Sequence, residues 1–276
     1  MVHIFTDSCA DLNPRLIDAH NISIIPLHVL VKDQDYLDND LTLEELFSSV
    51  EETNELPKTA APSVQEFITF FDTIDTKIYI GLSSELSATI QNAKLAANQL
   101  DDPNLFIIDS LNLSSGIGLL VLKAVDLRDA GLSVNDIVNE IESIKTKIRT
   151  AFVIDTMEYL YKGGRCTGLQ AIFGSVLKIK PIIQVLSNGT LGVMDKIRGS
   201  RSKALQALLD RVKEDLPHID PRRVFVTHTG CRKDAEHLVK EVKKLAPFED
   251  VLITEAGATI ASHCGPNTIG ILYLQK

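Results

Sequence analysis

The sequence predicts an α/β fold with two α/β domains, the first Rossmann-like around a mainly parallel sheet and the second built on a mixed sheet. Three observations predict it. A chain of 276 residues exceeds what one hydrophobic core usually serves. Short apolar runs alternate with helical patterns along the whole length. An Asn188-Gly189 turn signal lies between two strand-like runs in the second half, where it implies an antiparallel hairpin. The boundary is expected near residue 150, giving units 1–150 and 151–276.

Taken in order, Val2 to Thr6 reads as the first strand, and Asn13-Pro14 caps and starts a helix. Ile22 to Val31 reads as one strand. Thr42-x-x-Glu45 and Ser63-x-x-Glu66 are capping boxes that open two amphipathic helices, and Thr59 falls in the loop between them. Lys77 to Leu82 and Leu105 to Asp109 are short buried strands, each followed by a serine-rich turn and a helix, the second running from Ser114 to Ala130. Ser133-x-x-Asp136 opens a helix expected to continue to Ile148. Beyond it come a strand from Ala151 to Ile154, a short helix from Met157 to Arg165 and an apolar stretch from Leu169 to Leu177. The hairpin pairs Lys180–Leu186 with Leu191–Ile197. A helix from Ser202 to Leu216, a strand from Val224 to Thr229 and a helix from Lys233 to Ala246 follow. Strands at Val251–Thr254 and Ile269–Leu274 finish the pattern, with His263 in a loop between them.

Composition narrows the function. The net charge of −9 argues against nucleic acid as the main partner. The charge is unevenly spread: from Lys145 to Lys203 eleven Lys and Arg face three acids, a local +8 against −17 elsewhere. That pattern reads either as a docking surface or anion site, or as a solvated face with acids nearby in space. Cys9, Cys166, Cys231 and Cys264 are widely spaced, so neither a disulfide framework nor a structural zinc is expected, and no cofactor is implied. No apolar run is long enough for a transmembrane helix, and Met1 leads directly into a strand without a basic leader, so a cytoplasmic protein is expected.

No phosphate-binding loop or nucleophile elbow is present, and Gly116-x-Gly118 lacks the third glycine of a dinucleotide fingerprint. What remains is a set of hydroxyls just past strand ends, where open α/β sheets bind ligands: Thr6-Asp7-Ser8, Ser83-Ser84 with Ser87, and Ser110 with Ser114-Ser115. These are read in two ways, as contacts to an anion at helix N-termini or as simple N-caps. Thr59 and His263 could each hydrogen-bond an anion. Arg165, Arg198 and Arg201 suit carboxylate or phosphate, and equally surface ion pairs. The residues alone imply an anion site in a two-domain protein without a clear nucleophile–base pair.

The ordered set of segments resembles the DegV family. It comprises Thr6-Asp7-Ser8 with Asp11-Leu12, Lys58-Thr59-Ala60-Ala61-Pro62-Ser63, Ser83-Ser84-Glu85-Leu86-Ser87, and Asp109-Ser110 with Gly116. The second half adds Tyr161-Lys162-Gly163-Gly164-Arg165, Lys178-Ile179-Lys180-Pro181, Lys196-Ile197-Arg198-Gly199 and His263-Cys264-Gly265-Pro266. The resemblance implies a long-chain fatty acid of the palmitate, stearate or oleate type, held between the domains in an apolar tunnel. It assigns the carboxylate contacts to Thr59, Ser87 and His263, with Ser84 as a neighbour. It further implies a fatty acid kinase as partner, which makes an acyl phosphate for phospholipid synthesis, with Arg165, Arg198 and Arg201 as kinase or phosphate contacts. Such a protein carries its ligand without catalysing, and touches membranes only transiently. Two other functions fit the same residues: an acyl or phosphoryl transferase using Ser87 and His263, and a lipid-dependent regulatory protein. Ala60, Ala61, Ala88 and Asn267 depart from the family pattern, which usually has Ser, Gln, Gly and Gly there.

Overall fold

The computed structural model describes residues 2–165 and 179–276, so the apolar stretch expected at 169–177 lies outside the described residues. Strands β1 (Val2–Asp7), β2 (Ser23–Ile25), β6 (Thr76–Gly81) and β7 (Leu105–Asp109) form a parallel sheet in the order β2-β1-β6-β7. A six-stranded mixed sheet takes the order β10-β9-β8-β13-β11-β12, from β8 (Ile148–Val153), β9 (Ile179–Val185), β10 (Leu191–Arg198), β11 (Ile219–His228), β12 (Asp250–Glu255) and β13 (Ile269–Gln275). Within it only β11 and β12 run parallel, and β9 and β10 form the hairpin expected from Asn188-Gly189.

Helix starts follow the local signals. Asn13 Oδ1 accepts from Leu16 N to cap α1 (Pro14–His20), and both capping boxes form, at α2 (Leu43–Thr53) and α3 (Val64–Phe71). α4 (Thr89–Leu100) follows β6, and α5 (Ser115–Asp129) follows β7. Ten residues of α5 are buried, because it packs against β1 and β6 on one side and β8, β11 and β13 on the other. A helix apolar all round is the expected result of covering on both sides. One core cluster therefore runs through both sheets, from Ile4 and Ile80 through Leu120 to Phe152 and Leu272.

Four expectations change. Ile22–Val31 is not one strand, because Pro26 has no N–H to donate and the chain turns there: β2 joins β1, while β3 (His28–Val31) leaves for another sheet. That sheet, in the order β4-β3-β5, uses β4 (Gln34–Leu37) and β5 (Lys58–Ala60), so Thr59 sits on a strand opposite Val29 and not in a loop. α6 (Val134–Ile144) ends before Ile148, which begins β8. His263 lies in the last turn of a helix and not in a loop. That element, α10 (Ala258–Cys264), comes after α7 (Glu158–Lys162), α8 (Arg201–Asp215) and α9 (Arg232–Leu245).

Candidate functional site

α10 has no capping side chain of its own, since its N-cap is Gly257. Two remote acids do that work. Asp11 Oδ1 accepts from Gly257 N at 2.8 Å, and Asp38 Oδ1 accepts from Thr259 N at 2.8 Å. Asp11 is fixed in turn by Ser114 Oγ, which donates to Oδ2 at 2.5 Å. Burial raises the pKa of both carboxyls, well above the usual range for Asp11. The helix thus held packs on β3 and β5 and brings His263 to Thr59, with Nε2 2.8 Å from Thr59 Oγ1.

Both residues of this pair line a cavity of about 210 Å3. The polar lining is Thr59, Ser87, Arg165, Thr259 and His263, and Thr259 Oγ1 is buried without a hydrogen-bond partner among the described residues, while Leu27, Leu86, Leu113, Leu160, Leu191 and Ile260 supply apolar wall. A hydrophobic ligand with one anionic end matches that division, each buried methylene contributing about 0.8 kcal/mol.

His263 is neutral at pH 7: burial, then the charge of Arg165, pushes its pKa down to about 4. A neutral ring has one N–H. Nδ1 is buried without a hydrogen-bond partner among the described residues, so the less costly tautomer places the proton on Nε2, donating to Thr59 Oγ1. The Thr59 hydroxyl proton is then free to be donated into the cavity. Gly163 makes room for this ring, since a Cβ there would stand 2.5 Å from His263 Nδ1. Gly265 has φ +78, and a Cβ would meet Tyr159 Cδ2 at 2.7 Å.

Arg165 is half-buried. Its Nε donates to Leu86 O at 3.2 Å and Nη1 to Gly163 O at 2.6 Å, and no acid among the described residues forms an ion pair with it. Burial lowers its pKa. A guanidinium held by carbonyls at a cavity wall retains its charge for an anion. Ser87 Oγ is 2.8 Å from Thr89 Oγ1.

The other hydroxyls past strand ends are engaged elsewhere. Thr6 Oγ1 donates to Ile80 O, Ser83 Oγ donates to Gly189 O at 3.0 Å, and Ser8 Oγ accepts from Leu27 N. The local reading holds for Ser83 and Ser87, whose Oγ atoms accept from Glu85 N and Thr89 N at 3.3 Å, and fails for Ser114, the N-cap of α5, which makes no side-chain cap bond. Ser84 is exposed and not part of the cavity lining; its N–H meets Asp109 Oδ1 at 3.3 Å. Arg198 is exposed at the end of β10. Arg201 is tied to Asp155 at 3.2 Å and Asp234 at 2.6 Å. The basic segment is thus partly neutralised in space, Lys145, Lys162 and Lys180 also having acid partners.

Of the departures from the family pattern, Ala60, Ala61 and Ala88 all line the cavity. Ala88 has the ordinary helical φ of −74 and needs no glycine. Asn267 takes φ +60, a conformation that Asn tolerates better than most residues. The sequence reading missed Ile260, Leu113, Thr259 and Asp38, and it named Asp11 only within a family-like segment, without a role. The small residues of Ala256-Gly257-Ala258 and Ala261-Ser262 were the available signal for a closely packed helix.

Fold and site together define an α/β protein with a partly apolar cavity lined by a hydroxyl–imidazole pair and a guanidinium. The chain belongs to the DegV family, whose model, described as an uncharacterised protein of that family, matches residues 1–276. A DegV domain-containing protein of Caldanaerobacter subterraneus subsp. tengcongensis is 32% identical over 280 residues, covering 100% of this chain and 99% of that protein. A Thermotoga maritima protein named a fatty acid-binding protein is 30% identical, over 98% of this chain and 96% of its own. The structure of a fatty-acid-binding DegV family protein from Thermus thermophilus superposes with a TM-score of 0.93 at 29% identity, covering 100% of this chain and 99% of the other.

The pH dependence of the site follows from His263. Its folded pKa lies below the ordinary 6.5, so the stability it contributes is present above pH 6.5 and is lost as pH falls through about 4. The loss amounts to about 3 kcal/mol at most. Urea titrations of the wild type and His263→Gln at a series of pH values measure it as their difference. That difference also removes the opposite effect of Asp7, whose pKa burial raises to about 6. Equal acid sensitivity of the two proteins would rule out the assignment.

Proposed function

We propose that the chain binds one long-chain fatty acid, of palmitate, stearate or oleate type, with its carboxylate at Thr59, Ser87 and His263 and with Arg165 as the nearby cation. The observation that carries this reading is a cavity whose apolar lining includes the polar group of Thr59 and His263, with Oγ1 and Nε2 2.8 Å apart. The names of the Thermotoga and Thermus relatives support it. The protein acts as a carrier: it presents the carboxylate to a partner fatty acid kinase, which forms an acyl phosphate for phospholipid synthesis. This takes place in the cytoplasm, with transient membrane contact. The chain works as two units joined near residue 150, with Ser84 a neighbour of the carboxylate site outside the cavity lining.

A transferase using Ser87 and His263 is less well supported. An activated base is oriented by a third group, and His263 Nδ1 has no such partner among the described residues. Arg198 is the better candidate for kinase contact, because Arg201 is already held by Asp155 and Asp234.

Native mass spectrometry followed by denaturing extraction tests the carrier reading, with one fatty acid per chain expected. A protein that is empty and takes up no added fatty acid overturns it. Arg198→Ala is expected to leave binding intact and to slow phosphorylation of the bound acid by the kinase; equal loss of both would sink this division of roles.

A further inference from the structure

A second cavity, of about 30 Å3, adjoins the first and shares Leu113, Ile260 and Cys264 with it. Ile260 and Cys264 are four residues apart on α10, so they form one stripe that separates the two spaces. A group carried by a chain in the first cavity reaches the second only by passing this stripe.

The second cavity is lined by several threonines, yet it offers few free polar groups. Thr150 Oγ1 donates to Asn112 Oδ1 at 2.7 Å, Thr229 Oγ1 to Gly265 O at 2.7 Å and Thr268 Oγ1 to Cys264 O at 2.9 Å. Thr227 Oγ1 is shared with Ser115 and Thr254 at 2.5 and 2.9 Å. Ser114 is committed to Asp11. Their hydroxyls being occupied, these residues do not explain the exception among them.

The exception is His228, at the end of β11. It is 2% exposed and lines the cavity, and neither ring nitrogen has a hydrogen-bond partner among the described residues. Glu255 Oε1 lies 3.6 Å from Nδ1, beyond hydrogen-bonding range. Leaving such a group without a partner costs about 1–3 kcal/mol. Burial lowers its pKa, against the opposing charge of Glu255, so the ring is neutral and presents one donor and one acceptor. A hydroxyl, which both donates and accepts, satisfies either nitrogen in either tautomer. A second carboxylate does not fit, since no Lys or Arg lines this space. The volume has room for one or two water-sized groups.

We propose that this cavity is a specificity pocket for a hydroxylated fatty acid: a hydroxyl on the acyl chain enters it past Ile260 and Cys264 and hydrogen-bonds His228 while the carboxylate lies at Thr59 and His263. This rests on the fatty-acid reading given above and deepens it. Stearate has no group for His228, and it leaves the imidazole without a partner. The discrimination expected from one hydrogen bond to a buried partner is about tenfold in affinity.

The test is displacement of a fluorescent fatty acid by stearate and by a series of hydroxystearates differing in hydroxyl position. Wild-type protein is expected to bind at least one isomer about tenfold more tightly than stearate, and His228→Leu to reverse that order. In wild-type protein labelled with 15N, the His228 ring resonances should shift with the preferred isomer and not with stearate. Two results overturn the proposal while the fatty-acid reading stands: stearate binding with no isomer preferred, or a preference that survives in His228→Leu. Ring resonances identical in the stearate and hydroxystearate complexes would assign the imidazole to a resident water and likewise overturn it. If no acid binds, both readings fall.

Discussion

Thr59→Val lowers fatty acid affinity about tenfold to a hundredfold, the value of one hydrogen bond to a charged acceptor. Valine keeps the shape and β-branching of the residue, so the strand pairing of Thr59 with Val29 survives. Two things are lost together: the donor to the carboxylate and the acceptor for the His263 ring, whose Nε2 is 2.8 Å away. The His263 N–H then stands buried without a partner, so even the protein without ligand loses about 1–3 kcal/mol. Thr59→Ser keeps the hydroxyl and should bind within a few-fold of wild type. Calorimetric titration with oleate measures both variants. Valine and wild-type proteins of equal affinity would remove Thr59 from the site.

The second large effect concerns a residue that touches no ligand. Asp11→Ala is expected to cost about 3 kcal/mol of folding stability, because it leaves Gly257 N and Ser114 Oγ buried without their acceptor. For a chain of this size the melting temperature should fall by roughly 6–12 °C. Binding should weaken in parallel, since Gly257 opens the helix that carries His263. Asn at position 11 is the informative control. Asp11→Asn keeps an acceptor oxygen for Gly257 N and sets an amide N–H, in place of the acceptor Oδ2, against Ser114 Oγ, which can accept from it. Urea unfolding should separate the two variants clearly. Similar losses for Asn and Ala would mean that the negative charge itself is required.

These two residues mark what was legible in the sequence. Elements with a local signature were read correctly, as at Asn13-Pro14, the capping boxes of Thr42 and Ser63, and the Asn188-Gly189 turn. α10 was missed because its cap is supplied by Asp11 and Asp38, more than two hundred positions away, and no local pattern records that. The strands around Thr59 were missed because they are three and four residues long, too short to alternate visibly. Pro26 did carry a signal, and it was the better guide than the apolar run around it. The order of family-like segments pointed to Thr59, Ser87 and His263, which the fold brings to one cavity, and gave no sign of Thr259 beside them. The same segments did not distinguish Ser84, which faces solvent, from Ser87, which lines the cavity. The apolar walls were not legible at all, because Leu27, Leu113, Leu191 and Ile260 are single residues gathered from four separate elements or loops.

The contact between Thr59 and His263 joins positions 204 residues apart. Contacts of that sequence separation are the last to be repaid for the entropy of closing the intervening chain. The binding site is therefore a late product of folding, complete only when the β5 edge and α10 have met. During synthesis, a nascent chain long enough to expose its apolar segments has no finished cavity in which to shelter an acyl group. Once the cavity exists, an occupant that prefers the closed state shifts the balance against reopening by RT ln(1 + [L]/Kd), about 2.7 kcal/mol at a hundredfold excess over Kd. Amide hydrogens of β5 and α10 should then exchange together, and slow together when the acid is added. The cargo would thus serve as the final fastener of the fold that carries it.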